Sequence, residues 1–239
     1  MVRFWFIIIF SIPYIIFFLV HCCYIKLRRD RYTEESRYKI ARRVIGMVKK
    51  IGFIKTKVYG VENLPKDGGY VMYPNHQGKY DALGIISTHK NPCTVVMDDK
   101  RSHMIVMSQF LDLIKGKRLN RDSIEAQVKT MRNVVSEVKS GRRYIIFPEG
   151  GYCHNRNVVL NFMPGAFKYA IRAKSPIVPV ALIDSYKPFE GNSLKPVTTQ
   201  VHYLEPIYYE EYKGLSTEEI SEIVRSRIQC KISEKTVRV

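Results

Sequence analysis

Acidic side chains are scarce in this chain of 239 residues: 22 Asp and Glu stand against 39 Lys and Arg, a formal charge of +17. Such an imbalance says little about fold, but it implies an anionic partner: nucleic acid, an anionic membrane or a phosphorylated substrate. Cysteine is sparse as well, and the five present (22, 23, 93, 153, 230) show no Cys-x-x-Cys spacing. That leaves no paired metal-ligand signature, and in a cytoplasmic setting it predicts free thiols rather than a disulfide framework. Internal repeats and low-complexity tracts are missing too, which sets aside a repeat architecture.

One stretch lacks charge altogether. Phe4 to Val20, FWFIIIFSIPYIIFFLV, is followed by the apolar Cys22 to Ile25, long enough to span a bilayer as a helix. Pro13 falls inside it, but membrane helices tolerate proline. A cleaved signal peptide is the alternative. Against it, only Arg3 precedes the run, and bulky HCCYIKLRR stands where a small-residue cleavage site belongs. Lys26, Arg28, Arg29 and Arg31 follow at once, so the positive-inside rule predicts a membrane protein with a single N-terminal span and the remainder in the cytoplasm.

Between Lys26 and Lys57 stand twelve Lys or Arg against three acids, over half of the whole excess. Ile40, Val44, Met47, Val48 and Ile51 recur there at helical spacing, with Arg42, Arg43, Lys49 and Lys50 elsewhere on the wheel. Thr33 before Glu34 and Glu35 makes a helix start. A basic amphipathic helix beside an apolar one fits a segment lying on anionic lipid; the plainer reading is a solvated charged face over an ordinary core stripe. The expected organisation is an anchor helix over 1–25, a basic interfacial helix over 26–54 and one domain over 55–239.

Short apolar runs at 70–73, 94–97, 144–147, 177–182 and 200–204 read as strands, most of them continuous enough to be buried in a parallel sheet. Helices are predicted between them: 123–139 after Asp122 with Glu125 as a capping box, 166–174, and 217–232 from Ser216 with Glu219 in the box position. The expected fold class is α/β, a mainly parallel sheet with helices on both faces. Ligands then collect in the loops at the carboxyl ends of the strands.

Three polar, glycine-bearing segments sit in such places: NHQGKYD (75–81), KGKRLNRD (115–122) and FPEGGYCHNRN (147–157). A fourth, IVPVAL (177–182), puts Pro179 inside a strand-like run, which argues for an edge, a bulge or a strand lining a site. His76 with Asp81 fits a general base held by a carboxylate, or merely a turn histidine near a helix-capping aspartate. Zinc ligation by His76, Cys153 and His154 lacks the usual spacing of ligand pairs.

In order and spacing the four blocks resemble the 1-acylglycerol-3-phosphate acyltransferase family, defined by an NHxxxxD motif, over roughly residues 55 to 205. Asn75-His76 with Asp81 matches the first block, Arg121 in KRLNRD the second, Phe147-Pro148-Glu149-Gly150 the third and Val178-Pro179 the fourth. VYGVENLP (58–65) is similar to the stretch that precedes the first block. The resemblance implies transfer of an acyl chain from a coenzyme A or acyl carrier protein thioester to the hydroxyl of a lysophospholipid, with no cofactor and no metal. It makes His76 the base and Asp81 its orienting carboxylate, and it gives Arg121, Glu149 and Gly150 to the phosphorylated acceptor. Lys100, after strand 94–97, is a further phosphate candidate.

An imidazole ordinarily titrates close to neutral pH and suits the deprotonation of an attacking hydroxyl. The nucleophile belongs to the substrate, so no serine need stand beside His76. The third block departs from the family's usual Glu-Gly-Thr-Arg: Gly151-Tyr152 takes the last two places. Either another cation, Lys100 or Arg156, replaces the missing arginine, or the acceptor is a lysophospholipid or other lipid hydroxyl of lower charge. A non-catalytic lipid-binding protein is a third reading, opposed by the intact His76/Asp81 pair. No nucleic-acid motif is visible.

Overall fold

The computed structural model describes residues 2–28, 31–190 and 192–236. Arg29 of the basic cluster lies outside them. The apolar N-terminal run forms one helix, α1 (Val2–Leu27), continuous through Pro13. It is long and apolar enough to cross a membrane. Its buried positions, Arg3, Ile7, Ser11, Phe18, Cys22 and Ile25, fall on one stripe. The stripe packs along the domain from end to end. Phe4 meets Phe189 edge-on, Ile7 joins Ile54 and Tyr80, and Phe18, Cys22 and Ile25 enter the larger core. Lys26 closes the far end on Asp112 at 2.9 Å. The other face bears Trp5, Ile9, Phe10, Ile16, Phe17 and Val20, all exposed.

The basic helix is α2 (Glu34–Ile51), capped as its sequence predicts by the Thr33 hydroxyl on the Ser36 N–H. Its most buried residues are Tyr38, Ala41 and Ile45, one step round the wheel from the predicted stripe. Ile40 and Val44 only flank them. Tyr38 and Ala41 are an aromatic and a small residue, so a search for aliphatic periodicity passes over both.

The remaining elements alternate: β1 (Ile54–Tyr59), β2 (Val71–Pro74), α3 (Asp81–Thr88), β3 (Cys93–Asp98), α4 (Asp99–Ser102), α5 (Ile105–Leu113), β4 (Lys117–Leu119), α6 (Ile124–Lys139), β5 (Arg143–Ile145), α7 (Lys168–Ala173), β6 (Ile177–Ile183), α8 (Lys187–Glu190), β7 (Val197–Tyr203), α9 (Tyr209–Tyr212) and α10 (Thr217–Thr236). One seven-stranded sheet has the order β1-β7-β6-β2-β5-β3-β4. Every pairing is parallel except β6 with β7. Helices α1, α2, α3 and α5 cover one face, and α6, α7 and α10 the other, each through its own apolar cluster.

Two strands were not foreseen. β1 is an edge strand whose Lys55 and Lys57 read as a continuation of the basic tract, and β4 has only three residues. α6 starts one residue later than expected, with Ser123 rather than Asp122 as its cap, its hydroxyl accepting the Ala126 N–H. α10 carries the predicted box: Glu219 Oε2 accepts the Ser216 N–H at 2.7 Å, and the Ser216 hydroxyl accepts the Glu219 N–H. Pro179 lies in an interior strand, not at an edge. The antiparallel ladder to β7 begins just beyond it, at Val180 opposite Tyr203, so the missing N–H falls at the ladder's end.

Candidate active site

The five strands that run the same way, β6, β2, β5, β3 and β4, bring their carboxyl ends to one edge of the sheet. The loops leaving β2, β3, β4 and β5 there carry all the predicted motif residues before the fourth block. The β2 loop is pinned first. Asn75 extends the ladder by one step with its side chain: Oδ1 accepts the Leu182 N–H at 2.7 Å and Nδ2 donates to the Leu182 carbonyl at 3.1 Å. Gln77 is fully buried and holds the other side of the turn. Its amide donates to Leu182 O and Asn157 Oδ1 and accepts from the Ser185 N–H.

Between these anchors stands His76. Its Nδ1 lies 2.7 Å from Asp81 Oδ2. A carboxylate oxygen only accepts, so in the neutral ring Nδ1 carries the proton and Nε2 keeps its lone pair. Nε2 makes no hydrogen bond to the described residues. Asp81, at the first position of α3, is fully buried, and the same Oδ2 also accepts the N–H groups of Gln77 at 2.6 Å and Gly78 at 2.9 Å. The carboxylate is thus fixed by backbone before it orients the imidazole. The ring is held in plane by Phe147, stacked at 4.2 Å, and met by the edge of Tyr152 at 4.8 Å.

The third block closes over this pair. Glu149 Oε1 accepts the His76 N–H at 3.1 Å, while Oε2 is buried and has no partner. Burial pushes the Glu149 carboxyl up to about 7, against the pull of N–H groups from His76 and Leu160. Gly150 has φ +72°, a left-handed conformation that favours glycine, and a Cβ there would have to displace the flexible end of Met163. Arg121 reaches the block from β4, donating from Nη2 to Gly150 O at 2.8 Å, with Nε 3.3 Å from Asp98 Oδ2.

The two cations considered as replacements for the missing arginine are placed differently. Lys100 is exposed on α4 and pairs with Asp122 at 2.9 Å, beside Arg121 in sequence. Arg156 turns away from Arg121, adopts φ +49° and lies over the Tyr186 ring. A cation that the motifs do not mark stands at the vacant position: the Arg101 guanidinium lies over Tyr152 at 5.9 Å. Only its neighbour Lys100 hinted at it. Gln77 and Asn157 were also missed, as spacer positions within their motifs. Among the described residues no group of three or more His, Cys, Asp and Glu is placed to hold a metal; His154 pairs with Glu190.

A family model described as Acyltransferase matches residues 55–183, more than half of the chain and all four motif blocks. The chain belongs to the Acyltransferase family. It is similar to the 1-acyl-sn-glycerol-3-phosphate acyltransferase alpha of Mus musculus, 27% identical over 207 residues that cover 83% of this chain and 69% of that one. A 1-acyl-sn-glycerol-3-phosphate acyltransferase of Saccharomyces cerevisiae is 30% identical over 152 residues, 63% of this chain and 48% of the yeast protein. The crystal structure of a 1-acyl-sn-glycerophosphate acyltransferase from Thermotoga maritima superposes with a TM-score of 0.74 at 19% identity, covering 94% and 97% of the two chains. That likeness shows the fold.

Proposed function

We propose that this acyltransferase moves an acyl chain from a thioester donor to the free hydroxyl of 1-acylglycerol-3-phosphate, giving phosphatidic acid. The observation that carries the reading is the His76–Asp81 pair, with Nε2 unengaged and the Arg121–Gly150 contact on the neighbouring loop. Nε2 takes the proton as the hydroxyl oxygen attacks the thioester carbonyl carbon; the C–S bond breaks, and the departing thiolate receives that proton from the imidazolium. Asp81 keeps the ring in the productive tautomer and stabilises its charge, as the carboxylate of a serine-hydrolase triad does. The Glu149 carboxyl meets the acceptor's polar head once the buried Oε2 is uncovered. Arg121 binds phosphate oxygens through paired hydrogen bonds, and Arg101 adds the second positive charge.

The acceptor is a lipid, and the rest of the chain fits that. The apolar outer face of α1 attaches the protein to the bilayer, Lys26, Arg28 and Arg31 at its end favour the cytoplasmic leaflet, and the basic face of α2 rests on anionic headgroups.

His76→Ala is expected to lower kcat by about 10²–10⁴-fold with the fold intact. Turnover near wild type in the folded variant would sink the mechanism. A panel of lysophosphatidic acid, lysophosphatidylglycerol and lysophosphatidylcholine, each with acyl-CoA and acyl carrier protein donors, tests the acceptor. Tyr152 in place of arginine favours one second reading, a singly charged phosphodiester acceptor. A wild-type preference for lysophosphatidylglycerol, turned toward lysophosphatidic acid by Tyr152→Arg, would establish it instead.

A further inference from the structure

Arg3 is buried to within 1% of its surface. Its guanidinium donates to two backbone carbonyls, Lys187 O and Lys195 O, and its Nε is buried without a partner. A buried charge is ordinarily balanced by an opposite one, because the cost of taking it out of water is otherwise unmet. Among the described residues no carboxylate pairs with Arg3. It lines a cavity of about 310 Å³, together with Arg156, Tyr186, Lys187, Glu190 and Lys195. Of these, Lys187 is paired with Asp184 and Glu190 with His154. Arg156 has only the Tyr186 ring, and Lys195 is in no ion pair among the described residues. Arg3, Arg156 and Lys195 therefore line one cavity in which Glu190, against the His154 ring, is the single lining carboxylate, and the lining carries a surplus of positive charge.

The cavity adjoins the reacting groups without containing them. On the third-block loop Asn155 donates to His76 O at 3.2 Å and Asn157 holds Gln77, while Arg156 between them lines the cavity. On the first-block loop Lys79 lies over the ring of Phe4, the neighbour of Arg3. We propose that this cavity is a second phosphate site, distinct from that of Arg121, and that it holds the phosphates of a coenzyme A thioester. The assignment rests on the acyl-transfer reading. In such a donor the phosphates are separated from the reactive carbonyl by a long pantetheine arm, so they need a site beside the catalytic loop, not in it. Three cations against one carboxylate match the several phosphates of coenzyme A better than the single phosphodiester of an acyl carrier protein.

The test uses the full-length, detergent-solubilised protein and the exposed positions Arg156→Glu and Lys195→Glu, with Arg3→Gln as a third variant. Adenosine 3′,5′-bisphosphate is expected to bind the wild type by calorimetry and to lose at least tenfold in affinity in each charge reversal. The KM for palmitoyl-CoA is expected to rise by a similar factor, with the KM for lysophosphatidic acid and kcat within twofold of wild type. No bisphosphate binding by the wild type, or a palmitoyl-CoA KM that the reversals leave alone, overturns the proposal. If the reversals instead weaken only binding to phosphatidylglycerol vesicles, the phosphate held is a lipid's and the donor assignment is wrong. Bisphosphate binding that the variants abolish in a protein that transfers no acyl chain would uphold a phosphate site and overturn both the reaction and the donor assignment.

Discussion

Asp81 concentrates its hydrogen bonds on one oxygen: Oδ2 accepts from His76, Gln77 and Gly78, and Oδ1 is buried with no partner. An amide at this position keeps one acceptor but buries an NH₂ where Oδ1 was, a loss of about 1–3 kcal/mol for an unsatisfied donor. Asp81→Asn is therefore expected to lower both the thermal midpoint and kcat, the latter less than His76→Ala does; unchanged kcat would refute the orienting role. Glu149 makes a prediction of opposite sign to most carboxyls. Its folded-state value, about 7, exceeds the ordinary 4.5, so its contribution is fully present below 4.5 and is lost as pH rises through 7. Glu149→Gln removes that dependence. Its thermal midpoint should gain on the wild type between pH 5 and pH 8, and a gap that stays constant would show that Glu149 does not titrate there. His76, Asp81, Arg121 and Glu149 were legible in sequence because motif spacing carries them. Arg101 was not, since its relation to Tyr152 is made only when the β3 and β5 loops meet at the sheet edge.

At the scale of elements, α1 is two surfaces with different consequences. Ile25 belongs to the core stripe, and Ile25→Ala is expected to destabilise the fold by about 2–5 kcal/mol. Phe17 is 69% exposed on the outer face. Phe17→Lys should leave the unfolding midpoint close to wild type and reduce partition into vesicles; the reverse pattern in the pair would invert the two faces. The strands in the middle of the sheet were readable because each is a continuous apolar run covered on both faces. β1 was not, because an edge strand exposes its lysines to water and resembles the charged tract before it. The cap of α6 was misplaced by one residue because Asp122 and Ser123 are both good caps. Asp122 is engaged elsewhere, by Lys100.

Over the whole molecule the excess of positive charge has one readable gradient, toward α2. Arg43 and Lys50 are exposed on it. Charge reversal at both is expected to weaken binding to anionic vesicles by at least about 2 kcal/mol, close to thirtyfold, at low salt, and by much less at 0.5 M salt. A salt-independent loss would assign those residues to packing. Removing residues 1–25 deletes Phe18, Cys22 and Ile25 from the main core. The product is expected in the insoluble fraction, where an appended anchor would have left a soluble domain. The pairing of β1 with β7 joins Ile54 to Val197 and so ties the start of the domain to a strand near its end. During synthesis at about 5–20 residues per second, roughly 7–30 s pass between the two strands leaving the ribosome. For that interval β1, and with it the inner stripe of α1, has no finished sheet to pack against. The Phe18–Ile25 end of the stripe finds its cover early, on α2 and α5, but Arg3 at the other end waits for the Lys187 and Lys195 carbonyls, so the first residues of the chain are among the last to be seated.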